Sequence, residues 1–133
     1  MMVRISRRLL EQIMTLAQND RHEVCGLLLG SREEVDEIVP ASNVASDPAR
    51  HFELDPIVLI AAHRAQRAGG PRIVGHYHSH PGGLAVPSAT DRANAVPDGS
   101  FWLIVGSGDA RLWIASPMHD GQVQFAEGTL EVA

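Results

Sequence analysis

Residues 72–91 have the sequence RIVGHYHSHPGGLAVPSATD, and this stretch decides how the rest of the chain is interpreted. Its first part is an apolar run of strand length that follows the turn signal Gly69-Gly70-Pro71. A strand in this place ends at His78 and His80, and strand alternation directs both imidazoles to one side. The sequence therefore predicts two histidine side chains next to each other at the end of a strand.

The second part of the stretch predicts a turn and a helix start. Ser88-Ala89-Thr90-Asp91 is typical of the first residues of a helix with Ser88 at or near the N-cap. Pro81-Gly82-Gly83 and Pro87 turn and stiffen the connection, which suits a loop that returns Asp91 toward the histidines. An acidic third residue occurs at many helix starts that hold no metal, and a His-X-His triplet alone is often a polar loop. The combination indicates a metal site.

The predicted ligand set has a definite chemistry. Two neutral imidazoles and one carboxylate leave one position of a zinc tetrahedron open for water, as catalytic zinc sites do. Such an ion lowers the pKa of water from about 16 to roughly 7 and so supplies a nucleophile at neutral pH. We therefore expect one Zn²⁺ per chain, held by His78, His80 and Asp91 with a water as the fourth ligand, in a hydrolase that forms no covalent enzyme intermediate.

A hydrolase of this kind also needs a base, and Glu23 is the candidate. It precedes the apolar run Cys25-Gly26-Leu27-Leu28-Leu29-Gly30, which ends in glycine and suits a buried strand. Charged side chains are seldom buried, so a glutamate directly before a buried strand requires an explanation. The alternative is an ordinary solvated strand end, which composition alone would favour.

These motifs together resemble the JAMM (MPN+, JAB) zinc metalloprotease family, and the likeness covers nearly the whole chain. The chain resembles a compact prokaryotic member of that family. The motifs are Glu23 with the run at 25–30, then 78–82, then 87–91. The resemblance implies that His78, His80 and Asp91 bind zinc, that Glu23 is the general acid and base, and that Ser88 steadies the tetrahedral intermediate. Family members that have lost catalysis lack ligands, so the complete set indicates an active enzyme.

The order of predicted elements is helix, strand, strand, helix, strand, the metal loop with a short helix, and three more strands. Ser6 caps a first helix that ends near Asn19, and Asp55-Pro56 begins a second that closes at Gly69-Gly70. Residues 101–105 and 111–115 predict a hairpin, and 122–126 a further strand. The residues alone indicate α/β or α+β. The resemblance implies an α/β fold, a cytidine-deaminase-like α-β-α sandwich with a mixed central sheet.

Composition sets the outer bounds. With 133 residues, of which 44% are hydrophobic and 20% charged, we expect one domain, a single JAMM/MPN+ catalytic unit over 1–133. No apolar run has the length of a membrane span, and membrane integration is not expected. A net charge of −5 argues against nucleic acid as the main partner. The chain has no lysine, which excludes Schiff-base chemistry through lysine.

The single cysteine cannot form an internal disulfide, and the N-terminal sequence has no export signal, so we expect a cytoplasmic protein. Cys25 lies within the apolar run and is expected to pack rather than to act as a nucleophile or ligand. Most of the histidines outside the metal motif are expected to be bystanders; they are His22, His51, His63, His76 and His119. His76 shares a strand face with His78, where it can contact that ligand, although packing or surface exposure is the favoured expectation.

The resemblance leads to isopeptidases that act on ubiquitin and to compact prokaryotic members that act near the C-terminal Gly-Gly of ubiquitin-like proteins. Only nine residues separate Asp91 from Phe101, so the long insertion of the eukaryotic deubiquitinating members is absent. The predicted function is zinc-dependent hydrolysis of an amide bond at or near the C-terminal Gly-Gly of a ubiquitin-like protein of the sulfur-carrier type, or of its adduct. Its alternative is a non-catalytic MPN-type interaction module.

Two other zinc enzyme classes do not fit the sequence. A nucleoside or base deaminase needs H-x-E followed by P-C-x-x-C, and the chain has one cysteine. An H-E-x-x-H metalloprotease needs a second histidine on the helix turn that follows, and His22-Glu23 has Gly26 at that place.

Overall fold

A computed structural model describes residues 1–118 and 120–133, and in these residues the chain forms seven strands and three helices. In chain order they are β1 (Met2–Ile5), α1 (Arg7–Gln18), β2 (Cys25–Gly30), β3 (Glu34–Ala41), α2 (Pro56–Arg67), β4 (Ile73–Ser79), α3 (Ala89–Asn94), β5 (Phe101–Val105), β6 (Ala110–Pro117) and β7 (Val123–Val132). None of the helices described is long and apolar enough to cross a membrane.

The strands form one mixed sheet in the order β1-β3-β2-β4-β5-β6-β7, which closes because β1 also pairs with β7. The pairs β1/β3, β1/β7 and β4/β5 are parallel, and the other four are antiparallel. The predicted mixed sheet with helices, an α/β fold, is confirmed. The cytidine-deaminase-like sandwich stays a prediction.

Both long helices begin where the cap residues predicted. The Ser6 hydroxyl accepts the backbone N–H of Leu9 at 3.1 Å, and α1 follows directly. The Asp55 carboxylate accepts the N–H of Ile57 at 3.0 Å, and Pro56 occupies the first turn of α2, where its missing N–H costs no hydrogen bond. Strand β1 was not predicted, because four residues are too short to show a periodic pattern.

The main core lies between α1 and the sheet. Leu9 and Ile13 of α1 are buried in one cluster with Leu28 of β2 and Tyr77 of β4. Gly26 makes this packing possible, because a side chain in its place would overlap the ring of Tyr77. Successive residues of a strand face opposite sides, so Leu29 faces away from α1 and lines a groove beside Val58 of α2. The run at 25–30 is thus covered on both faces, as its apolar composition predicted.

Candidate active site

His78, His80 and Asp91 converge at the carboxyl end of β4. The Nε2 atoms of the two imidazoles are 3.2 Å apart, and each lies 3.2 Å from the Oδ2 atom of Asp91. His78 is fully buried, and Asp91 is buried although it carries a charge. The three side chains therefore lie together at a strand end, as the sequence predicted.

The geometry of this triangle suits a metal ion. Ligands that lie about 2.0 Å from a tetrahedral zinc are about 3.3 Å from each other, close to the spacing of these three atoms. Two imidazole nitrogens and one carboxylate oxygen are also donors that zinc accepts. The residues present therefore fit a zinc ion with three protein ligands, which leaves one tetrahedral position for another group.

The start of α3 brings Asp91 to the histidines. The Ser88 hydroxyl accepts the backbone N–H of Asp91 at 3.0 Å, and the backbone N–H of Ser88 donates to Asp91 Oδ2 at 2.9 Å. This capping box holds the carboxylate of Asp91 at the start of α3. Its Oδ2 atom is the oxygen that faces both imidazoles. Ser88 and Asp91 thus form the predicted helix cap, and Asp91 also belongs to the predicted metal site. Ser88 is hydrogen-bonded directly to this residue of the cluster.

Glu23 reaches the cluster through the pairing of β2 with β4. In this antiparallel pair Cys25 lies opposite His78. The register continues past the end of β2, because Ser79 donates its N–H to the carbonyl of Val24 at 3.0 Å and accepts the N–H of Val24 on its hydroxyl at 2.9 Å. Glu23 is therefore opposite His80, on the face that His78 occupies. One carboxylate oxygen of Glu23 and a ring nitrogen of each histidine lie within 4.8 Å of one another.

Two carboxylates of the site have opposite pKa shifts. Burial raises the pKa of Glu23 to about 7, which nearby His80 partly offsets. Burial acts in the same direction on Asp91, but the adjacent imidazoles of His78 and His80 outweigh it and hold the pKa of Asp91 well below its usual range. Asp91 is thus a permanent anion suited to bind a cation, whereas Glu23 is suited to take up and release a proton near neutral pH.

The sequence profile described as prokaryotic homologs of the JAB domain matches residues 6–116. The chain belongs to the prokaryotic JAB family. Membership of a compact prokaryotic JAMM/MPN+ group, predicted from the motifs, is thereby confirmed.

This JAB-family chain is similar to two proteins in sequence and to a third in structure. It is 44% identical over 92 residues to a desampylase of Haloferax volcanii, a match that covers 68% of the chain and 66% of the relative. It is 36% identical over 88 residues to a probable TtuB-protein conjugate cleaving protease of Thermus thermophilus, covering 65% of the chain and 59% of the relative. The chain thus spans less than two thirds of either relative. A solution structure of a Desulfitobacterium hafniense protein matches with a TM-score of 0.77 and 27% identity, over 100% of this chain and 94% of that one.

The second ring nitrogens of the two histidines also have partners. Nδ1 of His80 lies 2.8 Å from the carbonyl oxygen of Leu84, and Nδ1 of His78 lies 3.2 Å from Nε2 of His76. The contact of His76 with His78, which the sequence analysis held to be the less favoured outcome, is therefore present. Outer partners of this kind orient metal-binding imidazoles.

Three residues that shape the JAB-family site were not among those predicted. Ser79 joins the strand of Glu23 to β4 through its hydroxyl. Asn43 donates from its side-chain amide to the carbonyl of Glu23 at 2.8 Å and to that of His51 at 2.9 Å. Phe52 stacks on the ring of His78, with centroids 4.2 Å apart. The loop that carries Asn43 and Phe52 has no strand or helix period, so sequence patterning gave no signal for it.

The remaining candidates lie outside the cluster. Cys25 is buried in β2, and burial raises the pKa of its thiol to about 11, so it is protonated and packs as expected. His22, His51 and His63 are exposed. His119 lies outside the described residues.

Proposed function

We propose that the chain is a zinc-dependent metallopeptidase and isopeptidase that hydrolyses an amide bond at or near the C-terminal Gly-Gly of a ubiquitin-like protein or its adduct. The observation that carries this proposal is the triangle of His78, His80 and Asp91 with sides of 3.2 Å, which has the buried carboxylate of Glu23 beside it. A metal-binding face with a carboxylate beside it supplies the ion and the base that hydrolysis by activated water requires.

The residues of the site have different roles in this proposal. His78, His80 and Asp91 hold a single Zn²⁺, which supplies Lewis acidity that lowers the pKa of water and stabilises negative charge on a carbonyl oxygen. Glu23 accepts the proton of the attacking water and then donates it to the nitrogen of the leaving amine. Ser88 keeps Asp91 in place through its backbone and directs its hydroxyl hydrogen to the developing oxyanion.

The names of the two relatives support the substrate class. One is a desampylase and the other a probable protease that cleaves TtuB-protein conjugates. Within the class, we propose a carrier of the sulfur-carrier type, because the nine residues between Asp91 and Phe101 leave little chain for an additional ubiquitin-binding segment. An extended Gly-Gly tail needs main-chain hydrogen bonds and little side-chain space, which suits a compact protein.

The test uses three substrates that share one ubiquitin-fold sulfur carrier. In the first its terminal glycine is linked to a lysine side chain, in the second the chain continues past Gly-Gly with a short peptide, and in the third the Gly-Gly end is free. Mass spectrometry is expected to show release after Gly-Gly from the first two with the zinc-loaded protein. No release is expected after chelation, and re-addition of zinc should restore it. Intact substrates across several carriers would contradict the proposal.

The runner-up function is a non-catalytic interaction module. The complete ligand set argues against it, because a module has no need for a metal triangle with a carboxylate at its side. A metal-free protein that cleaves nothing but binds the carrier as tightly as the zinc-loaded protein would favour the module instead.

Three further expectations are kept as proposals. We propose one catalytic domain over residues 1–133, which is supported by the pairing of β1 with β7. We propose the cytidine-deaminase-like α-β-α sandwich, because Leu28 packs with α1 whereas Leu29 lines a groove beside α2. A cytoplasmic location is supported by the free, buried thiol of Cys25, the single cysteine of the sequence.

A further inference from the structure

His76 lies two residues before His78, on the same face of β4. Its Nε2 atom is 3.2 Å from Nδ1 of His78, the ring nitrogen that is not directed at Asp91 and His80. The two rings are 19° from parallel, with centroids 5.3 Å apart. Trp102 meets the His76 ring at 70° with a centroid distance of 4.4 Å. The ring of His76 is thus held between aromatic neighbours with one nitrogen aimed at His78.

The direction of this hydrogen bond decides which nitrogen of His78 carries a proton. A hydrogen bond between two neutral imidazoles contains one hydrogen, so either ring can be the donor. When Nδ1 of His78 donates to His76, Nε2 of His78 keeps its lone pair toward the cluster. When His76 donates instead, a neutral His78 is protonated at Nε2, and this nitrogen cannot bind a metal. Metal binding therefore requires His76 to be the acceptor.

We propose that His76 is a positioning residue for the metal site, which accepts the Nδ1–H of His78 and thereby holds the Nε2 lone pair of His78 toward the ion. This inference rests on the proposed zinc site and adds a residue that neither the motif nor the ligand triangle contains. His76 touches neither the ion nor the substrate in this role. It acts through the orientation and the tautomer of one ligand.

His80 provides an internal comparison. Its Nδ1 atom is paired with the main-chain carbonyl of Leu84 at 2.8 Å, an acceptor that no side-chain substitution removes. The acceptor of His78 is a side chain, so it can be deleted while His80 stays as it is.

A packing role for His76 is the competing explanation, because its ring also contacts Phe52, with a centroid distance of 5.1 Å. Two substitutions separate packing from hydrogen bonding. His76→Phe keeps an aromatic ring against Trp102 and removes the acceptor. His76→Gln gives up the ring and places an amide oxygen near the position of Nε2. His63→Phe removes an exposed histidine of α2 and serves as the matched control.

The experiment measures zinc affinity by competition with a chromophoric chelator, together with the ¹⁵N chemical shifts of the His78 ring in the zinc-loaded protein. We expect His76→Phe to weaken zinc binding by about 10-fold to 100-fold, as loss of such partners does elsewhere. His76→Gln should recover most of that affinity, and His63→Phe should match the parent. The parent should show a protonated Nδ1 in His78, with a shift that changes in His76→Phe.

The outcomes separate this inference from the proposed function. Parental zinc affinity and an unchanged His78 shift in His76→Phe would overturn the role of His76 and leave the metal site intact. Equal weakening in His76→Phe and His76→Gln would also overturn it, because packing rather than an acceptor would then be at issue. A parent chain that binds no zinc would contradict the proposed function itself and remove this inference with it.

Discussion

The two parts of the proposed site differ in how they are held. His78, His80 and Asp91 come from one short stretch of chain, contact each other at 3.2 Å and have outer partners as well. Glu23 comes from the mouth of β2, and only its backbone is fixed, by the carbonyl of Pro48 and the amide of Asn43. Its carboxylate has no hydrogen bond among the described residues. The three side chains of the first part are held in place as donors for a metal ion. The carboxylate of Glu23, in the second part, is free to exchange a proton.

The largest expected effect comes from breaking the binding part. His78→Ala should reduce bound zinc from about one equivalent to none at micromolar protein. Turnover should fall at least about a thousandfold, because the ion contributes several kcal/mol of charge stabilisation. Metal content by atomic emission and cleavage by mass spectrometry measure the two effects. His63→Ala is the control, and retention of one equivalent of zinc by His78→Ala would exclude His78 as a ligand.

The next effect separates the two parts. Glu23→Gln keeps the size of the side chain and removes its ability to accept a proton. We expect the full zinc equivalent to remain and cleavage to fall by about 100-fold to 10,000-fold. Glu33→Gln, at an exposed position, is the control. If Glu23→Gln loses the metal together with activity, Glu23 is a ligand and not a base.

This difference also explains which features could be predicted from the sequence. His78, His80 and Asp91 are close along the chain, so a strand end, a turn and a helix cap were enough to place them together. Glu23 was named from its place before an apolar run, and its role came from the family resemblance, because its approach to the histidines depends on the register of β2 with β4, which strand propensity does not specify. Strand β1 was not predicted, since it has only four residues and its partners β3 and β7 lie far along the chain.

The outer residues of the site were the least predictable. Asn43 makes its contacts from an irregular loop, and neither period nor turn chemistry marks it. The stacking of Phe52 on His78 could not be predicted, because a single aromatic residue in a loop does not indicate which side chain it contacts. The helix starts at Ser6 and Asp55 were predicted correctly, since a cap is a local interaction.

A smaller effect concerns the link between the helix cap and the site. Ser88→Ala removes the hydroxyl proposed for the oxyanion and the acceptor for the N–H of Asp91. We expect turnover to fall on the order of 100-fold, and the free energy of unfolding to fall by about 1 kcal/mol. Ser88→Thr keeps a hydroxyl and should retain most of both. Kinetics and urea denaturation provide the two readouts. Loss of stability with full turnover would leave Ser88 as a cap alone.

The smallest effect sharpens the difference between the parts in the metal-free protein. Burial raises the pKa of Glu23 from its ordinary value of 4.5 to about 7, so between these values the folded chain binds more protons than the unfolded one. The contribution of Glu23 to the free energy of unfolding must then decrease as pH rises through this window, by at most about 3 kcal/mol. Glu23→Gln lacks this contribution, whereas the histidines and Asp91 are common to both proteins. With chelator present, urea denaturation at pH 5 and pH 8 should show a larger loss of stability in the parent than in Glu23→Gln. An equal loss would mean that the carboxylate of Glu23 is well solvated, and its assignment as a base with a raised pKa would then be wrong.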